Sequence, residues 1–276
     1  MNVPSRVKRI LLNKVISIGK IFINPSNHVF PHWIISKADP ERGIVDNFIN
    51  NLHSAPTREL LLDVGAGNFR FQDYLETQGF VYESQDFDQV FDQDMRGKHT
   101  YVCDIENIPV NDGRFDVVVC TQVLEHLANP LIALQELSRI LRKGGKLYLT
   151  TNFLFPIHGA PYDFFRYTNF GLEHLCHKSN FSISELQPRG GFYSFIAKIV
   201  FDFPAIIKSW LFYGGASPHG QRQIKVRNIL IVLPLVPLVF LVDILCTLLA
   251  FLLARFDFMD KKKRFTLGYQ LVATRD

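Results

Sequence analysis

The sequence is poor in cysteine, and the four it has are not placed for pairing or for a metal. Cys103, Cys120, Cys176 and Cys246 form no CxxC and no regular spacing, which argues against a disulfide scaffold or a zinc ribbon and fits a reduced compartment. The nine histidines show no metal-ligand spacing either, so no metal is expected. No compact apolar run followed by a small-residue cleavage site is present near the start, so the expectation is a chain that is not exported. Net charge is also low, at +4 over 276 residues, but that figure hides a division. Residues 1–58 carry 8 Lys/Arg against 3 Asp/Glu, residues 59–192 carry 11 against 18, and residues 193–276 carry 11 against 5. An acidic middle is flanked by two basic segments that are also apolar, a combination suited to an anionic membrane surface rather than to nucleic acid.

The acidic middle opens on Leu60-Leu61-Leu62-Asp63-Val64-Gly65-Ala66-Gly67. An apolar run without 3.6 periodicity reads as a buried parallel strand. Glycines at the turn that follows let a backbone approach a ligand, and the next helix, predicted over 69–77, offers free N–H groups. A dinucleotide fingerprint asks for a third glycine where Arg70 stands, which weighs against a nicotinamide cofactor. Strand-like 81–85 ends at Asp86, about 20 residues after the glycines, where an acid can bind ribose hydroxyls. Further strands are predicted at 101–105 and from Phe115, the latter running into Gln122-Val123-Leu124-Glu125-His126.

In these motifs, taken in this order, the chain resembles the class I S-adenosylmethionine-dependent methyltransferases. The resemblance covers residues 59–192 and the final strand, and one departure is Phe69, where many members have a third glycine. It implies a Rossmann-like α/β fold: a seven-stranded sheet with helices on both faces. It also implies S-adenosylmethionine as cofactor. Asp63, Gly65 and Gly67 would hold its methionine end, Asp86 its ribose, Asp104 and Ile105 its adenine, and Gln122 and Val123 the floor between cofactor and acceptor.

A helix predicted over 131–141, closed by Lys143-Gly144-Gly145, leads to a fifth strand at 146–152. Ligands bind beyond the carboxyl ends of such strands, so the loop 155–168 should lie over the active site. It resembles a loop in bacterial members tied to surface glycan or lipid pathways. Its Tyr162, Arg166 and Tyr167 are expected to contact the acceptor. His126, His158 and Asp163 are the candidate catalytic groups: a histidine titrates in the range of a general base, and Asp163 could orient one or act itself.

Flanking this core, 6–22 reads as an amphipathic basic helix, and His32 and Trp33 are expected in the core or the acceptor pocket. Between the sixth strand and a final strand predicted at 267–274 lies an insertion, 193–264. Within it, 229–254 carries one charge, Asp243, and is long enough to cross a bilayer. Strands on both sides belong to one sheet and both borders are basic, so the expectation is a re-entrant or monotopic hairpin at the cytoplasmic membrane face. Segment 195–213, with Lys198, Asp202 and Lys208, reads as interfacial. The organisation expected is therefore an N-terminal region 1–58, a core 59–192, an apolar helical insertion 193–264 and a closing strand 265–276. The function expected is O-methylation of a small or lipid-linked acceptor (saccharide, quinone or lipid). A scaffold that binds without turnover and a nicotinamide oxidoreductase are the alternatives.

Overall fold

The computed structural model describes residues 29–52, 58–87, 98–213 and 235–276. The amphipathic segment 6–22 and the basic border at 222–227 lie outside them. The strands are β1 (Leu60–Val64), β2 (Val81–Asp86), β3 (Tyr101–Val102), β4 (Phe115–Thr121), β5 (Leu141–Asn152), β6 (Phe181–Arg189) and β7 (Gly268–Arg275). The α-helices are α1 (His32–Ala38), α2 (Pro40–Asn50), α3 (Gln72–Thr77), α4 (Pro130–Ile140), α5 (Asn169–Lys178), α6 (Phe192–Tyr213) and α7 (Val236–Ala254).

The sheet runs β3-β2-β1-β4-β5-β7-β6, with β7 antiparallel to both neighbours. Alternation along the strands explains its two covered faces. Leu62, Val118, Cys120, Leu147, Leu149 and Leu271 point to the side that receives α4 and α5 through Leu134, Leu137, Leu172 and Cys176. Leu61, Val117, Val119 and Tyr148 point to the other side, against Val45, Phe48 and Ile49 of α2 and Leu75 of α3. The expected turn at Lys143-Gly144-Gly145 is instead part of β5. Leu141 already pairs with Phe115, a bulge follows, and Gly144 takes up the irregularity at φ +72.

Contacts divide the chain into two units, one of 44–191 with 262–276 and one of 1–43 with 192–261. The first holds the sheet. In the second, α6 and α7 pack as an antiparallel pair with α1 beside them. Asp260 and Asp257, beyond the end of α7, accept from the Phe192 and Ser194 N–H groups at 2.8 and 2.9 Å, which caps the start of α6. Ala38, Ala197 and Ala250 are fully buried and let the three helices approach closely. Segment 195–213 had read as interfacial because of its charges. The helix turns those charges inward: Lys208 meets Asp243 of α7 at 2.9 Å, and Lys198 meets Asp202 at 3.0 Å and Asp39 at 3.3 Å. What remains outside is apolar, with Ile206 and Trp210 on α6 and Leu238, Leu241, Leu245 and Leu249 on α7 exposed. Trp33, expected in the core or the pocket, is 55% exposed and touches the Phe251 ring edge-on at 6.0 Å.

Candidate active site

The turns after β1 and β4 meet face to face. Gly65 and Gly67 take φ +66 and +55, a region that costs a side-chain-bearing residue energy. A Cβ on Gly65 would lie 2.3 Å from Val123 Cγ2, so only hydrogen fits there. The same position on Gly67 has nothing within 4 Å and opens into space. Phe69 keeps the left-handed conformation, at φ +58, that a third glycine would adopt freely, and its ring lies 4.5 Å from the imidazole of His99. Arg70 is bound to Asp46 of α2, so the position where a dinucleotide fingerprint needs a third glycine is occupied by a helix-anchoring charge.

Two side chains from β2 hold this turn. Asp86 accepts from the Gly67 N–H at 2.7 Å through one oxygen and from the Phe87 N–H at 2.7 Å through the other. Gln85, which the sequence reading passed over, accepts from Gly65 N–H at 3.3 Å and donates to the Cys103 carbonyl at 2.7 Å. Asp63 is buried, with the Tyr82 hydroxyl donating to it at 2.9 Å. Burial pushes its carboxyl up to about 7, against the pull of that hydrogen bond and with a smaller push from Asp86. Asp104 accepts from the Glu106 N–H at 3.0 Å, and the side chain of Ile105 packs in the core.

Beyond β4 the chain makes a 3-10 turn, Leu124–His126. The loop after β5 folds back onto it: Phe164 N–H and Phe165 N–H donate to the Glu125 carbonyl at 2.9 and 3.2 Å, and Tyr167 N–H donates to the Asn152 carbonyl at 3.0 Å. This brings the His126 and His158 rings to 4.6 Å, edge to face. His126 Nδ1 bonds to the Tyr162 carbonyl and His158 Nδ1 to the Pro156 carbonyl. Burial, and then His126 beside it, lowers the His158 pKa below the usual imidazole value.

Residues 62–149 match the family model of a methyltransferase domain. Over those residues the chain carries a methyltransferase domain. The ubiquinone biosynthesis O-methyltransferase of Coxiella burnetii is 30% identical over 119 residues, 38% of this chain and 50% of that protein. The biotin biosynthesis bifunctional protein BioHC of Cellvibrio japonicus is 30% identical over 121 residues, 42% of this chain and 24% of that protein. The matches thus span half or less of these curated relatives. Among solved structures, the [4+2]-cyclase SpnF superposes with a TM-score of 0.51 at 15% identity, covering 85% of this chain and 80% of that one; it shares the fold.

The cofactor that a methyltransferase domain implies is S-adenosylmethionine, and the turn fits it. Gly67 leaves open the space a Cβ would fill, and each Asp86 oxygen accepts one backbone N–H and keeps a lone pair for a ribose hydroxyl. Asp63, buried and near-neutral in charge preference, suits a cationic amino group that would draw its proton off.

The methyltransferase domain gives other expected site residues different work. Arg166 is fully engaged inside its loop: it holds Asp163 bidentately at 2.6 and 2.8 Å and donates to the carbonyls of Phe155, Pro156 and Phe165. Tyr167 is buried, with its hydroxyl donating to the Leu124 carbonyl at 3.0 Å. Both are loop-building residues where acceptor contacts were expected. Tyr162 is 46% exposed. Asp163 accepts from His158 N–H at 2.8 Å, and the Arg166 guanidinium holds its carboxyl down to about 2, which disqualifies it as a base and suits it to fixing His158 in place.

The sequence also concealed a buried polar network. Glu125 is fully buried and accepts from Thr151 Oγ1 at 2.8 Å and Asn152 Nδ2 at 2.7 Å. Arg189, also fully buried, donates to Asn152 Oδ1 at 2.8 Å and to the Thr151 carbonyl at 3.0 Å. The Gln122 amide, with its oxygen toward the guanidinium, accepts from Arg189 at 3.0 Å and donates to Asn152 Oδ1 at 2.7 Å. Gln122 therefore borders the site through a turn at φ +58 while its side chain is tied inward.

Proposed function

We propose that this protein methylates a hydroxyl of an amphipathic acceptor (a lipid-linked saccharide, a quinone precursor or a lipid) while attached to the cytoplasmic face of a membrane. The observation that carries the membrane part is the α6–α7 pair. Its charges are matched internally and its exposed surface is apolar, the reverse of a water-facing helix pair. Among the described residues, 237–259 is long and apolar enough to cross a membrane. At about 1.5 Å per residue, α6 and α7 extend roughly 33 and 28 Å, close to a hydrocarbon thickness. Their joined bases suit a hairpin that enters and leaves on one side.

Support for oxygen methylation comes from the histidine pair. With each Nδ1 donating to a backbone carbonyl, a neutral imidazole carries its free lone pair on Nε2. Bound S-adenosylmethionine supplies a methyl activated by the sulfonium charge. The domain's residues hold the acceptor oxygen in line, exclude water and take up the hydroxyl proton at an imidazole Nε2. The aromatic loop 155–168, held by Asp163 and Arg166, would shape the acceptor's entry.

The test is methyl transfer by detergent-purified protein to two series of phenolic or saccharide acceptors with identical head groups, one bearing a prenyl tail and one without. Turnover that rises with the tail supports the reading. Equal turnover on both removes the lipid element, and binding of S-adenosylhomocysteine without turnover on any acceptor favours the scaffold alternative.

A further inference from the structure

Glu125, His126 and His158 bring a carboxylate oxygen and two imidazole nitrogens within 4.8 Å of one another. We propose that these three side chains form a binding site for a divalent transition-metal ion. Two independent features point to a cation here.

The first is how the donors are aimed. Both imidazoles bond through Nδ1 to a backbone carbonyl, His126 to Tyr162 and His158 to Pro156. That arrangement presents the Nε2 lone pair and is how metal-ligating histidines are held by an outer partner. Asp163, bonded to the His158 backbone and 3.6 Å from its Nδ1, braces the same ring. The carboxylate is braced as firmly, by Thr151 and by Asn152, which Arg189 holds in turn.

The second is charge. Glu125 is fully buried, and both donors to its oxygens are neutral. Buried carboxylates are ordinarily paired with a cation or bound to a metal. No cationic side chain bonds directly to Glu125: Arg166, near enough to feel its charge, grips Asp163, and Arg189 reaches it only through Asn152. His158 Nε2 stands 4.0 Å from Glu125 Oε1, beyond hydrogen-bond range. Ligand atoms on a tetrahedral ion with bonds of about 2.1 Å are about 3.4 Å apart, so a small swing of the half-buried His158 ring closes the site.

Two imidazoles and one carboxylate suit zinc, iron(II) or cobalt(II), and disfavour magnesium and calcium, which take oxygen ligands. Three protein ligands leave at least one position open. On the methyltransferase reading, an ion bound there would take the acceptor oxygen at that position, with its O–H proton leaving to solvent; the imidazoles would then serve as ligands, and act as the bases described above only in the metal-free protein.

The experiment uses full-length protein in detergent, stripped of metal with a chelator and titrated with cobalt(II), whose visible absorption reports coordination, then with zinc and with magnesium in competition. The same samples are titrated calorimetrically with S-adenosylhomocysteine. The expected result is one cobalt per chain, displaced by zinc and not by magnesium. Each of His126→Gln and His158→Gln should weaken it by more than about 100-fold. S-adenosylhomocysteine binding should stay intact in His158→Gln, which also shows that the variant is folded. Substoichiometric cobalt binding by the wild type, or wild-type cobalt binding by His158→Gln, overturns the site. Cobalt without S-adenosylhomocysteine binding defeats the methyltransferase reading and leaves the metal site standing; the opposite pattern does the reverse.

Discussion

Glu125 and Arg189, neither of them exposed to solvent, are joined through one side chain: Asn152 donates to the carboxylate with Nδ2 and accepts from the guanidinium with Oδ1. The two charges are thereby linked without touching, and the polar end of the sheet is fixed between β4, β5 and β6. Replacing Asn152 by leucine should strand both. Breaking a buried charged network by removing one member costs about 3–5 kcal/mol, so Asn152→Leu should show that loss in denaturant unfolding, while Asn152→Asp, which keeps the acceptor toward Arg189 but sets a second carboxylate against Glu125, should be less stable at about pH 8 than at about pH 5 relative to wild type.

The pair of helices carries a similar arrangement at Lys208 and Asp243, 2.9 Å apart and both buried. Lys208→Leu alone should destabilise by about 3–5 kcal/mol because Asp243 loses its partner. Lys208→Leu with Asp243→Leu should recover most of that loss. Thermal unfolding in detergent measures both, and a double variant as unstable as the single one contradicts the account.

Asp63 predicts a proton signature. Its folded carboxyl sits near 7, above the unfolded value of 3.8. The folded state therefore binds the extra proton between those values, and this group's contribution to stability is complete below about pH 4 and lost as pH rises through about 7. Wild type should lose more stability than Asp63→Asn between about pH 5 and pH 8. Cofactor binding near about pH 6 should release protons, seen as a binding heat that changes with the buffer's ionisation enthalpy.

Asp163 works in the opposite sense. Held at about 2 by Arg166, against 3.8 unfolded, it contributes stability that is present above about pH 4 and lost as pH falls through about 2. Asp163→Asn should lose that pH-dependent contribution, so its stability should fall less than the wild type's between about pH 4 and about pH 2. It should also loosen the loop 155–168, read as faster amide exchange at His158.

Gly65→Ala should weaken S-adenosylhomocysteine binding, since the new methyl would stand 2.3 Å from Val123 Cγ2. Adding Val123→Ala removes the clash but leaves the φ +66 strain, so affinity should return in part. Complete recovery would mean that backbone conformation costs nothing there.

The fold was legible because its signals were local. Leu61 and Leu62, Val117 and Val118, Tyr148 and Leu147 alternate between two buried faces, and such alternation can be read along a strand. Gly65, Gly67 and Asp86 stood out because a ligand-binding turn needs those residue types, and the structure brings Asp86 onto the Gly67 N–H. The rest depended on partners remote in sequence. Arg189 reads as a surface charge until β6 lies near Asn152. Lys198 and Lys208 read as a wet helix face until Asp39 and Asp243 are placed opposite them. Arg166 and Tyr167 resemble pocket residues because a tightly self-bonded loop and a ligand-lined one use the same side chains. His126 and His158 showed no spacing to suggest a shared site, since only the return of the loop after β5 unites them.

The place of β7 has a consequence for biosynthesis. It lies between β5 and β6 and bonds to both along its length, yet it emerges from the ribosome after α6 and α7 have been made. Until then β5 and β6 have no strand between them, and the polar network at their ends lacks the neighbour that closes it. The hairpin must therefore meet its environment while the catalytic sheet is still an open six-stranded intermediate. Completion of the sheet therefore follows synthesis of both helices, and the last strand to be made is the one that joins β5 to β6.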